Sequence, residues 1–380
     1  MEMQPGMEVS HQQFLKKEDV KINKALKRVL LLINCAMLGI GNCGGPLLLR
    51  LYFVRGGKRI WFSSWLETGG WPVILFPFAA SYLRRRLSKG GGDSPDTTRL
   101  FFMKPFIFVA CAVIGILTGL DDYIYAAGVA RLPVSTASLI IASHLAFTAF
   151  FAFLLVGQRF TPYSINAIAL LTVAGVVLGL HTSGDRPANE SNKQYLMGFF
   201  MTIAAAALYG LVLPMVELTY KKARQTITFS LVMEMQMVIS IFATLFCTIG
   251  MLVNKDFEVI PREAREYELG EAKYYLVVAF SAIIWQFFFL GAIGVIFYGS
   301  SLLAAVIITT VLPITEILAV FIFQEAFKPE KAISLFLSLW GFASYFYGEF
   351  KGSKKRNKIP EPENPRLNPP LSSSPVTTPK

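Results

Sequence analysis

The sequence predicts an all-α polytopic membrane protein with ten transmembrane helices arranged as two inverted five-helix repeats. Three observations predict this fold class: a high apolar content, ten long apolar runs, and an alignment between the two halves. Of 380 residues, 54% are hydrophobic and 16% are charged, whereas about 25% are charged in a typical soluble protein. The composition argues against a soluble chain, which needs a charged surface, and against a disordered one.

Each apolar run is close to the length of about 20 residues that a membrane helix needs. The runs cover residues 29–49, 60–83, 105–128, 133–156, 161–181, 195–216, 228–252, 274–298, 300–323 and 332–348. They are continuously apolar, whereas a barrel strand would alternate between apolar and polar residues. A charged segment around Glu263–Glu271 separates the seventh and eighth runs, and we expect a short surface helix there.

The net charge of +11 comes from short basic clusters between the apolar runs. Such clusters are typical of cytoplasmic loops and do not indicate nucleic-acid binding. More Lys and Arg residues fall on one side of the membrane if the N-terminus is cytoplasmic, so we predict that both termini are cytoplasmic. The sequon at Asn189 then lies on the outer side, but so close to the helix ends that we do not expect glycosylation.

The ten runs divide into two halves that share a sequence pattern. The fourth and fifth runs align without gaps with the ninth and tenth at an offset of 167 residues, so that Ile140 meets Ile307 and Ala152 meets Ala319. Five helices per unit would place the two units in opposite orientations, as in many secondary transporters, with a substrate site near the midplane. The predicted units are an N-terminal cytoplasmic segment, two repeats and a disordered, proline-rich cytoplasmic tail: 1–28, 29–181, 195–350 and 351–380.

Motifs that would indicate an enzyme or a pump fail in their context. The segment 39–44 matches GxGxxG, but it lies inside an apolar run and follows no strand, so close helix approach is its expected role. No phosphate-binding loop occurs, which argues against an ATP-driven pump. Four cysteines and three histidines have no metal-ligand spacing. We therefore expect no cofactor, no metal and no enzymatic activity.

Acidic residues inside apolar runs are costly, and they often mark substrate or proton pathways. Our candidates for proton coupling are Glu67, Asp122 and Glu234. Glu67 and Glu234 lie near the starts of runs that the repeat would pair, although either could simply join helices by hydrogen bonds. Adjacent helical residues point about 100° apart, so we expect at most one of Asp121 and Asp122 to face the bundle centre. Glu217 lies near a helix end, where contact with water is the expected state.

Five further residues are candidates for substrate binding: Asn42, His144, Trp285, Gln286 and Glu316. Aromatic rings stack on flat ligands, and an amide supplies both a donor and an acceptor for a heterocycle edge. His144 is either a neutral buried residue satisfied by a neighbour or a group that responds to protons. Glu316 follows a proline that bends its helix.

A set of short motifs extends over about residues 28–350: Gly44-Gly45-Pro46-Leu47-Leu48, Trp61 with Glu67 and Gly70-Trp71-Pro72, Gly119-Leu120-Asp121-Asp122-Tyr123, Leu132-Pro133-Val134-Ser135-Thr136, Trp285-Gln286, Leu312-Pro313-Ile314-Thr315-Glu316 and Ser338-Leu339-Trp340-Gly341-Phe342. With these motifs the sequence resembles the plant purine permeases of the drug/metabolite transporter superfamily. An amide is usual in that family at the position of His144, so the substrate preference of this chain can differ.

The resemblance implies proton-coupled import of purine bases, cytokinins and related heterocycles by alternating access across the plasma membrane. Similar proteins import alkaloids or pyridoxine-type vitamins, and a carboxylate such as Glu67 or Glu316 would then pair with a cationic amine. The expected partners are a small heterocyclic substrate, protons and the lipid bilayer, without nucleic acid, and the chain is a monomer or a homodimer. An organellar nucleotide-sugar or phosphate antiporter would need Lys or Arg in its cavity, and none lies deep within the runs.

Overall fold

In the part that a computed structural model describes, the chain forms α-helices and one 3₁₀ turn joined by short loops. That part comprises residues 5–76, 78–80, 83, 103–131, 140–141, 143–180, 192–223, 225, 227–323 and 329–356. Its helices are α1 (Pro5–Val54), α2 (Ile60–Gly69), α3 (Pro105–Val129), α4 (His144–Val156), α5 (Pro162–Leu180), α6 (Asn192–Lys222), α7 (Phe229–Val253), α8 (Asp256–Glu266), α9 (Glu271–Tyr298), α10 (Ser301–Phe323) and α11 (Pro329–Arg356).

Six of these helices are long and apolar enough to cross a membrane by length and composition. They are α1 from Ala25 onward, α3, α6 from Leu196 onward, α7, α9 and α10. Shorter apolar helices lie in α4, α5 and α11. Large apolar side chains such as Phe76 and Val253 are about four-fifths exposed, which suits a surface that faces lipid. The prediction of an all-α polytopic membrane protein is thereby confirmed.

Most helix ends lie within a few residues of the predicted ones, and the differences have local causes. The helix α1 begins at Pro5, well before residue 29, because the polar segment is rich in residues with high helix propensity. The second run is interrupted after Gly69 by a 3₁₀ turn over Trp71–Ile74, where Pro72 lacks an amide donor. The predicted surface helix is present as α8, but it ends at Glu266, four residues before Gly270, which adopts a positive φ (+91°).

Glycines bring the helix backbones into direct contact. The helix α1 runs antiparallel to α9, and a Cβ at Gly41 would lie 2.5 Å from Phe288 Cα. The helix α3 runs parallel to α7, where a Cβ at Gly115 or Gly119 would reach the Ile239 and Ala243 carbonyls. Small residues permit this approach in a membrane, where apolar burial alone does not drive association. The GxxxG pair in α3 therefore marks a contact within the chain.

Candidate functional site

A cavity of about 450 Å³ lies among α1, α2, α3, α4, α6, α9 and α10. Its walls extend from Phe289 and Ile308, in the middle of the bundle, to Val54, Gly57 and Ala130 at the end where α1 and α3 finish. The volume is within the range of small-molecule sites, about 300–1,000 Å³. The cavity therefore joins the centre of the bundle to one of its ends.

One wall of the cavity is acidic. The carboxyl groups of Glu67, Asp121 and Asp122 line it, and all three residues are buried. The Glu67 and Asp122 side chains lie close enough to share a hydrogen bond, which two carboxyl groups can form only if one carries a proton. Each of the three groups also has a buried oxygen without a hydrogen-bond partner among the described residues. These carboxyl groups can thus hold at least one proton and still have oxygens that can accept further hydrogen bonds.

Both aspartates line the cavity, although we expected only one to do so. The helix α3 packs against α2 on one side and α6 on another. Asp122 interacts with Glu67 on α2, where Ser64 Oγ also donates to the Asp122 carbonyl at 3.3 Å. Asp121 lies instead at the depth of Tyr209 on α6. Both side chains belong to the lining although the two residues are adjacent on α3.

Another part of the lining is aromatic and comprises Tyr209, Trp285, Phe288 and Phe289. The Tyr209 and Phe288 rings stack with centroids 5.9 Å apart, and the Trp285 ring meets Phe288 edge-on at 5.3 Å. Two buried polar atoms of these residues, Trp285 Nε1 and Tyr209 Oη, have no hydrogen-bond partner within the described part of the chain. Such a wall can stack a flat ring and also form hydrogen bonds with its edge.

His144 begins α4 and is buried at the edge of the cavity. Its Nδ1 lies 2.9 Å from the Ile141 carbonyl. A carbonyl only accepts, so Nδ1 is the protonated nitrogen and Nε2 of the neutral ring is an acceptor. Nε2 is buried and has no partner among the residues that the structure describes, and the imidazole lies 6.0 Å from the Tyr209 ring. His144 therefore offers a substrate one acceptor in a defined position.

Asn42 lines the cavity beside the close contact of α1 with α9. Its Nδ2 donates to the Ile308 carbonyl at 3.0 Å, which fixes the amide and leaves its oxygen as an acceptor. Arg50 lines the cavity farther along α1, and its guanidinium lies 4.8 Å from the centre of the Phe323 ring. The lining thus contains one cation and three carboxyl groups among the described residues.

The other candidate residues lie differently. Gln286 Nε2 donates to the carbonyls of Glu67 at 3.4 Å and Thr68 at 3.1 Å, so it binds the end of α2, and it is not among the lining residues. Glu234 is fully buried in α7 and does not line the cavity either. Glu316 belongs to α10, but its side chain lies outside the described part. Of the neighbouring pair Trp285 and Gln286, Trp285 lines the cavity and Gln286 does not.

At the end that the cavity reaches, α8 holds several helix ends together. Glu263 accepts hydrogen bonds from Tyr52 Oη at 2.5 Å, Tyr274 Oη at 3.1 Å and the Lys58 amide at 3.2 Å. These contacts connect α1, α8 and α9. A buried carboxylate with three donors is well satisfied, so this cluster stabilises the loop connections at this end.

Asp256, at the start of α8, is a buried acid beside the same cluster. Burial raises the pKa of its carboxyl group, and the hydrogen bond from Asn254 at 2.7 Å and the charge of Arg59 at 3.6 Å partly oppose this. The net direction is upward because desolvation is the largest of the effects.

The opposite end of the bundle is closed by Glu217 near the end of α6. Its carboxylate accepts from the Ser301 amide at 2.8 Å and the Ser301 hydroxyl at 2.6 Å, which caps α10. Lys221 contacts Glu217 at 3.0 Å and donates to the Val156 carbonyl at the end of α4. Glu217 was expected to contact water, but it is buried because it caps a neighbouring helix.

An apolar helical bundle around a buried, partly polar cavity that reaches one end is the arrangement of a multi-pass membrane transporter for small solutes. Comparison with known proteins agrees. A family described as purine nucleobase transmembrane transport matches residues 29–355. The chain is 53% identical to purine permease 3 of Arabidopsis thaliana over 350 residues, 92% of this chain and 99% of that protein. It is 52% identical to purine permease 2 of the same plant over 341 residues, 87% and 94% of the two chains.

The chain therefore belongs to the purine permease family, as its motifs predicted, and it is a transporter and not an enzyme. Its substrates are small heterocycles of the kind that this family transports. A crystal structure with 18% sequence identity superimposes with a TM-score of 0.56 and covers 83% of this chain and 97% of the other. That likeness concerns the fold alone.

Proposed function

We propose that this chain is a proton-coupled importer of purine nucleobases, cytokinins and related heterocycles that works by alternating access in the plasma membrane. The observation that carries the proposal is the composition of the cavity. Aromatic rings that can stack on a flat ligand line the same cavity as three buried carboxyl groups that can hold a proton. A proton and a heterocycle can therefore occupy the same cavity.

The heterocycle would stack on one of two nearly perpendicular rings, Trp285 or Phe288, and polar groups around it would bind its edge. Purines carry both ring N–H donors and ring nitrogen acceptors. His144 Nε2 and the Asn42 oxygen can accept hydrogen bonds, and Trp285 Nε1 can donate one. A ligand that leaves any of these groups unpaired would lose affinity, because an unsatisfied buried polar group is costly.

The proton would bind to the Glu67–Asp122 pair. The hydrogen bond between these carboxyl groups requires one proton, and burial near a second aspartate disfavours a fully ionised cluster. Glu234 and Glu316 stay candidates for proton transfer in other conformations. A transporter that alternates its access can release such a proton on the other side once water reaches the cluster.

We further propose that the ten predicted spans form two inverted repeats, residues 29–181 and 195–350. The sequence offset of 167 residues supports this, because it relates pairs of residues that line the one cavity: Asn42 and Tyr209, Ile141 and Ile308, Asp122 and Phe289. The helix contacts agree, since α1 packs against α9 and the corresponding helices α6 and α3 also pack together. A site between two such repeats is the usual location in secondary transporters.

With cytoplasmic termini, the end of the cavity at Gly57 and Ala130 lies on the outer side of the plasma membrane. The Glu217–Ser301 contact then closes the cytoplasmic side. The conformation would be outward-facing, ready to accept a substrate and a proton from outside. Import requires that the contacts at Glu217 separate while the outer end closes.

Uptake of labelled adenine into proteoliposomes tests the proposal. An inward proton gradient should drive accumulation, and Asp122→Asn should abolish accumulation while adenine exchange at equal pH continues. Asp256→Asn removes a buried acid outside the cavity and is the matched control, with accumulation expected to persist. If wild-type uptake ignores the gradient, proton coupling is wrong.

A second candidate is the import of alkaloids or pyridoxine-type compounds by the same route. The three carboxyl groups on one wall favour it, because a desolvated cationic amine needs an acidic partner. Competition of adenine uptake by a panel of alkaloids, cytokinins and pyridoxine separates the two. Stronger competition by the amines than by the cytokinins would support this second candidate.

A further inference from the structure

We propose that the hydroxyl of Tyr209 connects the acidic cluster to the bound heterocycle, so that protonation of the cluster changes substrate affinity through this one group. The inference rests on the proposed proton coupling and deepens it. Tyr209 would be a positioning residue for coupling: it contacts the substrate, and it acts on affinity through the state of its acidic neighbours.

The Tyr209 ring packs against two other rings, which positions its hydroxyl. The Tyr209 ring stacks on Phe288 at an interplanar angle of 27° and lies 6.0 Å from the imidazole of His144. Its oxygen is buried, belongs to a cavity-lining residue, and has no hydrogen-bond partner in the described part of the chain. A buried hydroxyl is normally paired, so this one is positioned for a partner that enters the cavity.

The depth of Tyr209 in the bundle matches that of the acids. The helices α3 and α6 are antiparallel, and Gly128 on α3 contacts Thr202 on α6. Seven residues, about two helical turns, lead back from Gly128 to Asp121 and forward from Thr202 to Tyr209. The two side chains therefore lie at the same depth and on the same faces of the paired helices. Asp121, Asp122 and Glu67 are close enough for their charges to act on the phenol.

The ionisable groups that line the cavity together with Tyr209 come from several helices. They are Asp121 and Asp122 on α3, Glu67 on α2, His144 on α4 and Arg50 on α1, together with the phenol of Tyr125 on α3. The other packed helices, α9 and α10, contribute apolar and aromatic side chains and neutral Thr315 to the described lining. The charged groups that act on the Tyr209 hydroxyl are therefore mainly the three acids.

A phenol hydroxyl has one donor hydrogen and two acceptor positions, which gives the coupling its direction. When the nearest acid is ionised, the hydroxyl donates to the carboxylate, directly or through one water, and it has no hydrogen left for the substrate. When that acid is protonated, it donates to the phenol oxygen, and the phenol hydrogen is free for a ring nitrogen of the heterocycle. Protonation therefore favours substrate binding, as proton symport requires.

Tyr209→Phe tests this link because it keeps the ring, its stacking and its volume. The measurement is the KM for adenine uptake into proteoliposomes at a series of pH values from mildly acidic to neutral. In the wild type, KM should rise with pH. In the variant, KM at acidic pH should rise about three- to tenfold, the effect of one lost hydrogen bond, and its change with pH should largely disappear. A variant that keeps the wild-type pH dependence would overturn the inference.

Tyr220→Phe is the matched control on the same helix. Its hydroxyl donates to the Ile293 carbonyl at 3.2 Å and does not line the cavity, so the pH dependence of KM should stay that of the wild type. Loss of the pH dependence in this control as well would overturn the assignment to Tyr209.

A double variant distinguishes a link from two separate effects. If Tyr209 acts through Asp121, then Tyr209→Phe combined with Asp121→Asn should raise the acidic-pH KM no more than Tyr209→Phe alone. Additive increases in KM would overturn the inference.

If Tyr209→Phe does not fold, Asp121→Asn alone should flatten the pH dependence of KM, and an unchanged pH profile would overturn the inference. If the wild-type KM does not change with pH but a proton gradient still drives uptake, the role of Tyr209 is wrong and the proposed function stands. If wild-type uptake does not respond to the gradient, the proposed proton coupling is wrong as well.

Discussion

The close contact of α1 with α9 predicts that Gly41→Ala separates two helices that form a wall of the cavity. A Cβ at Gly41 would lie 2.3 Å from the backbone N and 2.5 Å from Cα of Phe288, whereas ordinary contact begins at 3.4 Å. The atoms must therefore move apart by about 1.1 Å. The obstacle is mainly backbone, so no side-chain rotation can relieve it, and overpacking of this kind costs about 1–3 kcal/mol.

Gly39→Ala provides the comparison within the same helix. A Cβ there would meet only Val311 Cγ2, at 3.9 Å, which is ordinary contact. Both changes give the same gain in helix propensity, about 1 kcal/mol. That gain cancels when the two variants are compared, and the remaining difference measures the forced separation of α1 from α9.

The assay is thermal unfolding of the detergent-purified proteins, combined with adenine uptake. We expect Gly41→Ala to unfold at a lower temperature than Gly39→Ala and to transport adenine poorly, because its neighbour Asn42 and the opposing Phe288 both line the cavity. Gly39→Ala should be as stable as the wild type or more so. Equal unfolding temperatures for the two variants would refute the packing of α1 against α9 described above.

Three further predictions concern residues around the cavity. Glu217→Ala should destabilise the protein by about 1–3 kcal/mol in thermal unfolding, because the Ser301 amide and hydroxyl lose their acceptor; an unchanged unfolding temperature would contradict this. Gln286→Leu should lower the unfolding temperature more than it changes the KM for adenine, since its amide binds backbone carbonyls of α2; the reverse order would show direct substrate contact. The raised pKa of Asp256 means that the folded state holds this proton more tightly, so stability should fall as pH rises from the ordinary carboxyl pKa to the raised one. Asp256→Asn should reduce that fall, as measured by unfolding over a pH series, and an unchanged slope would contradict it.

The helices were predictable because a membrane helix must satisfy its own backbone, and long apolar runs show where it does so. The interruption after Gly69 was harder to foresee. A proline is often tolerated inside a membrane helix, and the break follows here because Gly70 also lies against the Ala282 carbonyl on α9. That contact is tertiary, and no local pattern reveals it.

The site was partly predictable for a related reason. Charged or polar residues in apolar runs identified Glu67, Asp122 and His144, all of which line the cavity. Tyr209 was missed because tyrosine is common at membrane interfaces, and only its depth and unpaired hydroxyl distinguish it. Asp121 was missed because one helix was assumed to present a single face. The roles of all these residues stay predictions until transport is measured.

The sequence offset of 167 residues has one consequence that neither half shows alone. It aligns Asp121 and Asp122 on α3 with Phe288 and Phe289 on α9, and all four line the cavity. If the halves are related by a pseudo-twofold axis, the same structural position is acidic on one side of the axis and aromatic on the other. A symmetric pair of acidic walls would repel and could not stack a ring, whereas two aromatic walls could hold no proton. The divergence of the two halves therefore accounts for a cavity that can bind a heterocycle and a proton together. Replacing Asp121 and Asp122 by phenylalanine, or Phe288 and Phe289 by aspartate, should abolish proton-coupled transport.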